Sequence, residues 1–180
     1  PHKGCDNFIK AALMALKLNI NLKFVIIGYG SQEAKLKNIV KKSCFASNFI
    51  FLSNVNHKEI LYFYQLCDIY VSLNAYGNFS NTNLEAMRVG TCMILPNTLP
   101  GIGFDKTLKN LLPEDTYISL HSVNSIEALS EYFINLYRNK DKINDIKLNM
   151  QKISKKFIPS WDSRIRTELE FLTELVKYNE

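Results

Sequence analysis

No apolar run in this 180-residue chain approaches the roughly 18 residues needed to span a bilayer. The longest, "KFVIIG" and "DIYVSL", are strand-sized, and the first residues show no basic-then-apolar leader. The four cysteines, Cys5, Cys44, Cys67 and Cys92, lie 39, 23 and 25 residues apart with no CxxC pair. That spacing offers neither a zinc knuckle nor a disulfide framework, so reduced thiols in a cytoplasmic protein are expected. Three histidines, His2, His57 and His121, are scattered, and no carboxylate cluster suggests a metal. His57 follows a helix cap and reads as a surface residue. From Ala34 to Lys58 the chain holds no Asp or Glu at all.

What is present is a 47% apolar composition, enough for one domain with a real core and too short for two. The formal charge is +5, and the segment from Arg138 to Lys156 alone carries seven cations against Asp141 and Asp145, the same net +5. Such a segment fits either a solvated helix face or a surface for anionic lipid or a phosphate-rich partner. Its aromatics, Tyr137 and Phe157, stand only at the margins, which disfavours nucleic-acid binding.

Apolar runs alternate with amphipathic segments. The pattern predicts a helix from Asp6 to Leu16, a strand from Lys23 to Ile27 ending at Gly28-Tyr29-Gly30, and a helix capped by Ser31 through Leu36 and Val40. The strand "NFIFL", a loop at Ser53 to Asn56, and an Asn56-capped helix containing "EILYFYQL" follow. Then come the strand "DIYVSL", a helix holding Glu85 and ending at Gly90, the strand "CMIL", and a short helix over Lys106 to Leu111. The strand "TYISL" precedes a helix with Asn124 and Glu127 as a capping box. Residues 140–180 read as helical with a break near Pro159. Trp161 and Phe157 either anchor the last helix in the core or form a hinge contact.

This strand–helix alternation, with uninterrupted Val, Ile and Phe strands, predicts an α/β fold: a three-layer Rossmann-like domain with a parallel sheet covered on both faces. Ligands of such sheets bind at the carboxyl ends of the strands, which selects the loops after Ile27, Leu52, Leu73 and Leu95. The Gly28-x-Gly30 turn invites a dinucleotide, but Glu33 stands where a third small residue belongs, and no acid follows about 20 residues on. The sequence therefore argues against a hydride-transfer cofactor. The segment "YGNFSNTNLEAMRVG" offers a different guest. Gly77 lets backbone approach a ligand, and Asn78, Phe79, Ser80, Asn81 and Thr82 lead into a helix N-terminus whose free N–H groups and positive dipole end suit a phosphate. Glu85, in the first or second turn, either accepts bonds from vicinal ribose hydroxyls or merely complements the helix dipole. Physics alone leaves the two readings equal.

The segment "SLNAYGNFSNTNLEAMRVG" resembles the nucleotide-sugar signature of retaining group 1 glycosyltransferases, which have the GT-B fold. Four further pieces agree in order: "HKGCDNFIKAAL", "LKFVIIGYG", "FIFLSNVNHKEILYFYQLCDIYVSL" and "FIPSWDSRIRTELEFL". The resemblance covers nearly the whole chain as the C-terminal, donor-binding half. It implies that Glu85 holds the donor ribose, that Lys3 contacts the diphosphate, and that the amides of Phe79, Ser80, Asn81 and Thr82 help hold phosphate and sugar. His2, beside Lys3, is a weaker phosphate candidate. The Gly28–Gly30 turn and the loop around Val55 would flank the base. A UDP- or GDP-linked sugar is the implied substrate, with no cofactor and no metal.

Two departures from the family pattern follow. Gly77 stands eight positions before Glu85, where the family has an acid reaching the sugar, so either recognition would pass to a neighbour such as Asn78 or activity would be weakened. The family's arginine upstream of Lys3 would lie on a strand preceding position 1, so residues 1–180 read as a domain lacking its first strand and the acceptor-binding half. The expected function is transfer of a sugar to an acceptor hydroxyl with retention, in glycan, lipopolysaccharide or glycolipid synthesis. The acceptor would be bound by the missing half, and peripheral attachment to the inner membrane surface is compatible with the basic segment. The rivals are a non-catalytic nucleotide-sugar-binding or scaffold module, and a sugar-nucleotide epimerase, which would need crevice acids and histidines that this sequence does not supply.

Overall fold

The computed structural model describes residues 3–74, 79–97, 112–157 and 161–177. Five strands and seven α-helices are found among them. In chain order they are α1 (Cys5–Leu16), β1 (Phe24–Ile27), α2 (Glu33–Lys41), β2 (Phe49–Leu52), α3 (His57–Leu66), β3 (Ile69–Val71) and α4 (Asn81–Val89). Then follow β4 (Cys92–Pro96), β5 (Ile118–Leu120), α5 (Ile126–Arg138), α6 (Lys140–Phe157) and α7 (Trp161–Lys177). The predicted helix over Lys106 to Leu111 lies outside the described residues.

All strand pairs are parallel. β1 pairs with β2, Phe24 opposite Phe49, and β4 lies between β3 and β5. Among the described residues no ladder joins β1 to β3, so each has a hydrogen-bonded neighbour on one side only. The layered arrangement is clearest at β4, whose alternating side chains enter two cores. Cys92 and Ile94 join one cluster with Ile9, Ala12 and Leu16 of α1 and Leu129 and Phe133 of α5. Met93 and Leu95 join the other, with Tyr64 of α3, Ala86 and Met87 of α4 and Met150 of α6. Helices therefore cover both faces of a parallel sheet.

Small residues explain how closely α1 docks: Ala11, Ala12 and Ala15 are wholly buried. Phe8 meets the edges of Phe24 and Phe133, with centroids 5.7 and 5.8 Å away, and Phe24 stacks on Phe49 at 5.3 Å. Asn7 Nδ2 donates to the Val123 carbonyl at 3.0 Å, tying α1 to the turn before α5.

Four expectations need correction. Ser31 does not cap α2; Gln32 holds that position without a side-chain bond. Ser125, not Asn124, caps α5 by accepting from the Ala128 amide, while the Asn124 side chain accepts from Asn7. The sheet is not covered everywhere, because the opposed pair Val25 and Ile50 remains exposed. Phe157 does not anchor a core. It is exposed, with the Lys156 ammonium 5.3 Å from its ring centroid. The α3 cap holds as expected: Asn56 and Glu59 form a complete capping box.

Candidate functional site

The site gathers at the carboxyl end of β3, and a glycine places its first member there. Gly4 adopts φ 65°, and a Cβ on it would stand 2.6 Å from Leu73 Cβ. Only glycine permits that approach together with that backbone angle. The Gly4 turn therefore lies against the strand exit, and the exposed Lys3 beside it stands where the chain leaves β3 for α4. His2 lies outside the described residues, as do Gly77 and Asn78.

α4 begins at the same edge. Ser80 is its N-cap in extended conformation but makes no side-chain cap bond. Its hydroxyl instead pairs with Thr82 Oγ1 at 2.8 Å. The amides of Asn83 and Leu84 turn back to the Ser80 carbonyl, and no described residue takes the amides of Asn81 and Thr82. A helix end with undirected N–H groups and a partial positive charge is suited to an anion. Phe79, just ahead, packs against the second core cluster, which pins the approach to the helix. Gly90 ends α4 in the left-handed region at φ 78°, as expected.

Glu85 is half-buried one turn on, its side chain 25% exposed. The Tyr64 hydroxyl of α3 donates to its Oε2 at 3.2 Å, and His57 Nδ1 lies 3.8 Å from its Oε1. His57 is a surface residue as expected, its side chain 79% exposed, and it also faces the acid. Tyr70 of β3 donates to Asn83 Oδ1 at 2.9 Å and lies 3.2 Å from Thr82 Oγ1. The two phenol rings meet edge to face at 5.5 Å. Burial, first of all, pushes both phenols above their ordinary range, and the Glu85 carboxylate adds to the effect. Both therefore remain O–H donors at neutral pH. Sequence reasoning missed Tyr64 and Tyr70 because each sits in an ordinary apolar pattern; only the packing of α3 and β3 on α4 makes them polar partners of the site.

The remaining candidates form a second wall. Gly28 adopts φ 125°, its amide donates to the Leu52 carbonyl at 2.9 Å, and neither it nor Gly30 has any atom near the position of a Cβ. Both face open space at the carboxyl end of β1. Glu33 ties this turn to the next loop: its Oε1 accepts from Ser53 Oγ at 2.6 Å and Lys37 Nζ at 2.7 Å. Those bonds, that from Lys37 first, hold its carboxyl below the usual range. Val55 is half-buried in that same loop. Two surface hollows, of about 400 and 370 Å³, lie elsewhere, along Thr167–Leu172 and beside Tyr117 and Tyr132. Neither touches the residues just described. Among the described residues no group of three His, Cys, Asp or Glu could hold a metal ion, and no helix is long and apolar enough to cross a membrane.

Comparison with known proteins gives the family and the fold. The sequence profile of the family described as glycosyl transferases group 1 matches residues 1–153. A curated relative, the UDP-N-acetylglucosamine–peptide N-acetylglucosaminyltransferase GtfA subunit of Streptococcus agalactiae, is 29% identical over 150 residues. That match covers 77% of this chain and 27% of the relative, so the chain spans about a quarter of its length. The C-terminal domain of the glycosyl transferase group 1 family protein LpcC from Francisella tularensis superposes with TM-score 0.72 at 21% identity, over 87% of this chain and 80% of that one. The pneumococcal O-GlcNAc transferase GtfA, solved with UDP and GlcNAc, gives TM-score 0.72 at 18% identity, over 98% of this chain and 33% of that one. The fold is that of a GT-B C-terminal domain.

Proposed function

Because the chain belongs to the glycosyl transferases of group 1, we propose that it is the donor-binding domain of a retaining hexosyltransferase that takes a nucleoside-diphosphate sugar. The observation that carries this reading is the junction of the Gly4 turn, the first turn of α4 and the Tyr64-held Glu85 at one strand end. A diphosphate has its cation in Lys3 and its N–H donors in the α4 terminus. A ribose has its acceptor in Glu85. UDP is the favoured nucleotide, since the curated relative is described as acting with UDP-N-acetylglucosamine and the pneumococcal structure holds UDP.

In the whole protein, an acceptor hydroxyl on a glycan or lipid would attack the anomeric carbon as the diphosphate departs. Preorganised donors at the departing oxygens stabilise that charge without reorganisation. Glu85 positions the donor rather than touching the reacting bond. The open edges of β1 and β3 support a further strand between them, supplied by chain outside residues 1–180, with an acceptor-binding domain beyond. The basic face of α6 is available for an anionic membrane surface. A second reading, a binding module without turnover, is favoured by Gly77 at the usual acidic position.

Titration with UDP while following amide resonances of residues 80–85 tests the assignment. Shifts there, and a loss of about 1–3 kcal/mol on Glu85→Ala, are expected; an unperturbed α4 terminus overturns it. Turnover of UDP-sugar by the full-length protein separates the transferase from the module.

A further inference from the structure

Tyr64 is the residue that holds the acid by a hydrogen bond. We propose that Tyr64 is a positioning residue of the donor site, orienting Glu85 through its phenol so that the other carboxylate oxygen faces the ribose hydroxyls. This rests on the assignment of Glu85 to the ribose.

Tyr64 is itself held from several sides. Its ring is buried, and meets Tyr70 edge to face at 5.5 Å. Its carbonyl accepts from the buried Thr91 Oγ1 at 2.9 Å and from Cys67 Sγ at 3.4 Å. Thr91 directly follows the Gly90 cap of α4, so the end of α4 is tied to α3 at the residue that also grips its middle. The phenol proton can reach Glu85 Oε2, and burial keeps that proton on the oxygen. Oε1 is left toward the exposed His57, the side open to solvent. A free glutamate has several rotamers of similar energy, and ligand binding must select one. The phenol makes that selection beforehand.

Tyr64→Phe removes one oxygen and keeps the ring. In the full-length protein, calorimetric titration with UDP and with 2′,3′-dideoxyuridine diphosphate separates the two effects. UDP affinity is expected to fall about tenfold, while dideoxy-UDP affinity stays at the wild-type value. Tyr64→4-aminophenylalanine, which restores an N–H donor, is expected to recover most of the UDP affinity. Unchanged UDP affinity, an equal loss for both nucleotides, or no recovery with the amino variant overturns the proposal. If Tyr64→Phe does not fold, the amino variant alone decides: near-wild-type discrimination between the two nucleotides sustains the proposal, and its loss overturns it. Glu85→Ala serves as the reference. Should that variant bind both nucleotides as wild type does, the ribose assignment itself fails; should it act while Tyr64→Phe does not, only the role of Tyr64 fails.

Discussion

Lys3 and Glu85 bring opposite charges to one strand end, and the proposed ligand needs both. A lysine on a solvated turn contributes little to stability, so Lys3→Ala should leave thermal melting unchanged. Its UDP affinity should fall about tenfold, with uridine binding unaffected; calorimetry with the two ligands checks this, and equal behaviour toward both removes Lys3 from the phosphate site. At this scale the sequence was informative where a residue type has few uses. A small polar loop entering a helix that carries one acid narrows the guest to an anion with hydroxyls. Tyrosines are different, because a phenol serves core packing and hydrogen bonding equally well. Tyr64 and Tyr70 therefore acquire their roles only from the partners that packing supplies. His57 was read from its cap position alone, which says nothing of the helix opposite.

Elements meet the site through glycines. At Gly4 the backbone angle and the 2.6 Å approach to Leu73 Cβ act together. Gly4→Ala should lower stability by about 2–4 kcal/mol, read from urea unfolding, and should weaken UDP binding because the Lys3 turn moves off the strand end. Unaltered stability would mean that the turn is not seated on β3. Most elements were legible because hydrophobic period and cap chemistry agreed, as at Asn56 with Glu59. The caps at α2 and α5 fall one residue later than the pattern predicts: α2 starts from Gln32 without a side-chain bond, and at α5 Asn124 and Ser125 are adjacent small polar residues that compete for one position. Asn124 is drawn away by a bond with Asn7, 117 residues distant, which no local pattern contains.

The fold buries one thiol, Cys92, and half-buries another, Cys67. Burial pushes the Cys67 thiol up to about 11 and the Cys92 thiol to about 12, from an ordinary 9.0. Between 9 and those values the unfolded chain binds fewer protons than the folded one, so stability falls as pH rises. That contribution is fully present below 9 and lost above it. Melting temperature measured from pH 8 to pH 11 should begin to decline near pH 9 and fall progressively above it, and Cys92→Ala, although less stable at pH 8, should decline less steeply. An unchanged slope would show that the thiol is not protected. Thiol labelling at pH 8 should reach the exposed Cys44 before Cys92. The two-sided core was legible from unbroken apolar strands, whereas the uncovered Val25–Ile50 pair was not. Apolar runs reveal that a face wants cover, not whether a helix is there to give it.

The seating of α1 on α5 carries a consequence for synthesis. Asn7 bonds to a carbonyl 116 residues further along, and Phe8 rests on Phe133. During translation α1 thus leaves the ribosome long before α5 exists, and must wait with its alanine stripe uncovered or shielded by a chaperone. Pairing of neighbouring strands can proceed meanwhile, since every ladder among the described residues joins consecutive strands. Docking of α1 on α5 is then a late event in the assembly of these residues, and the Lys3 turn at the start of α1 settles with it.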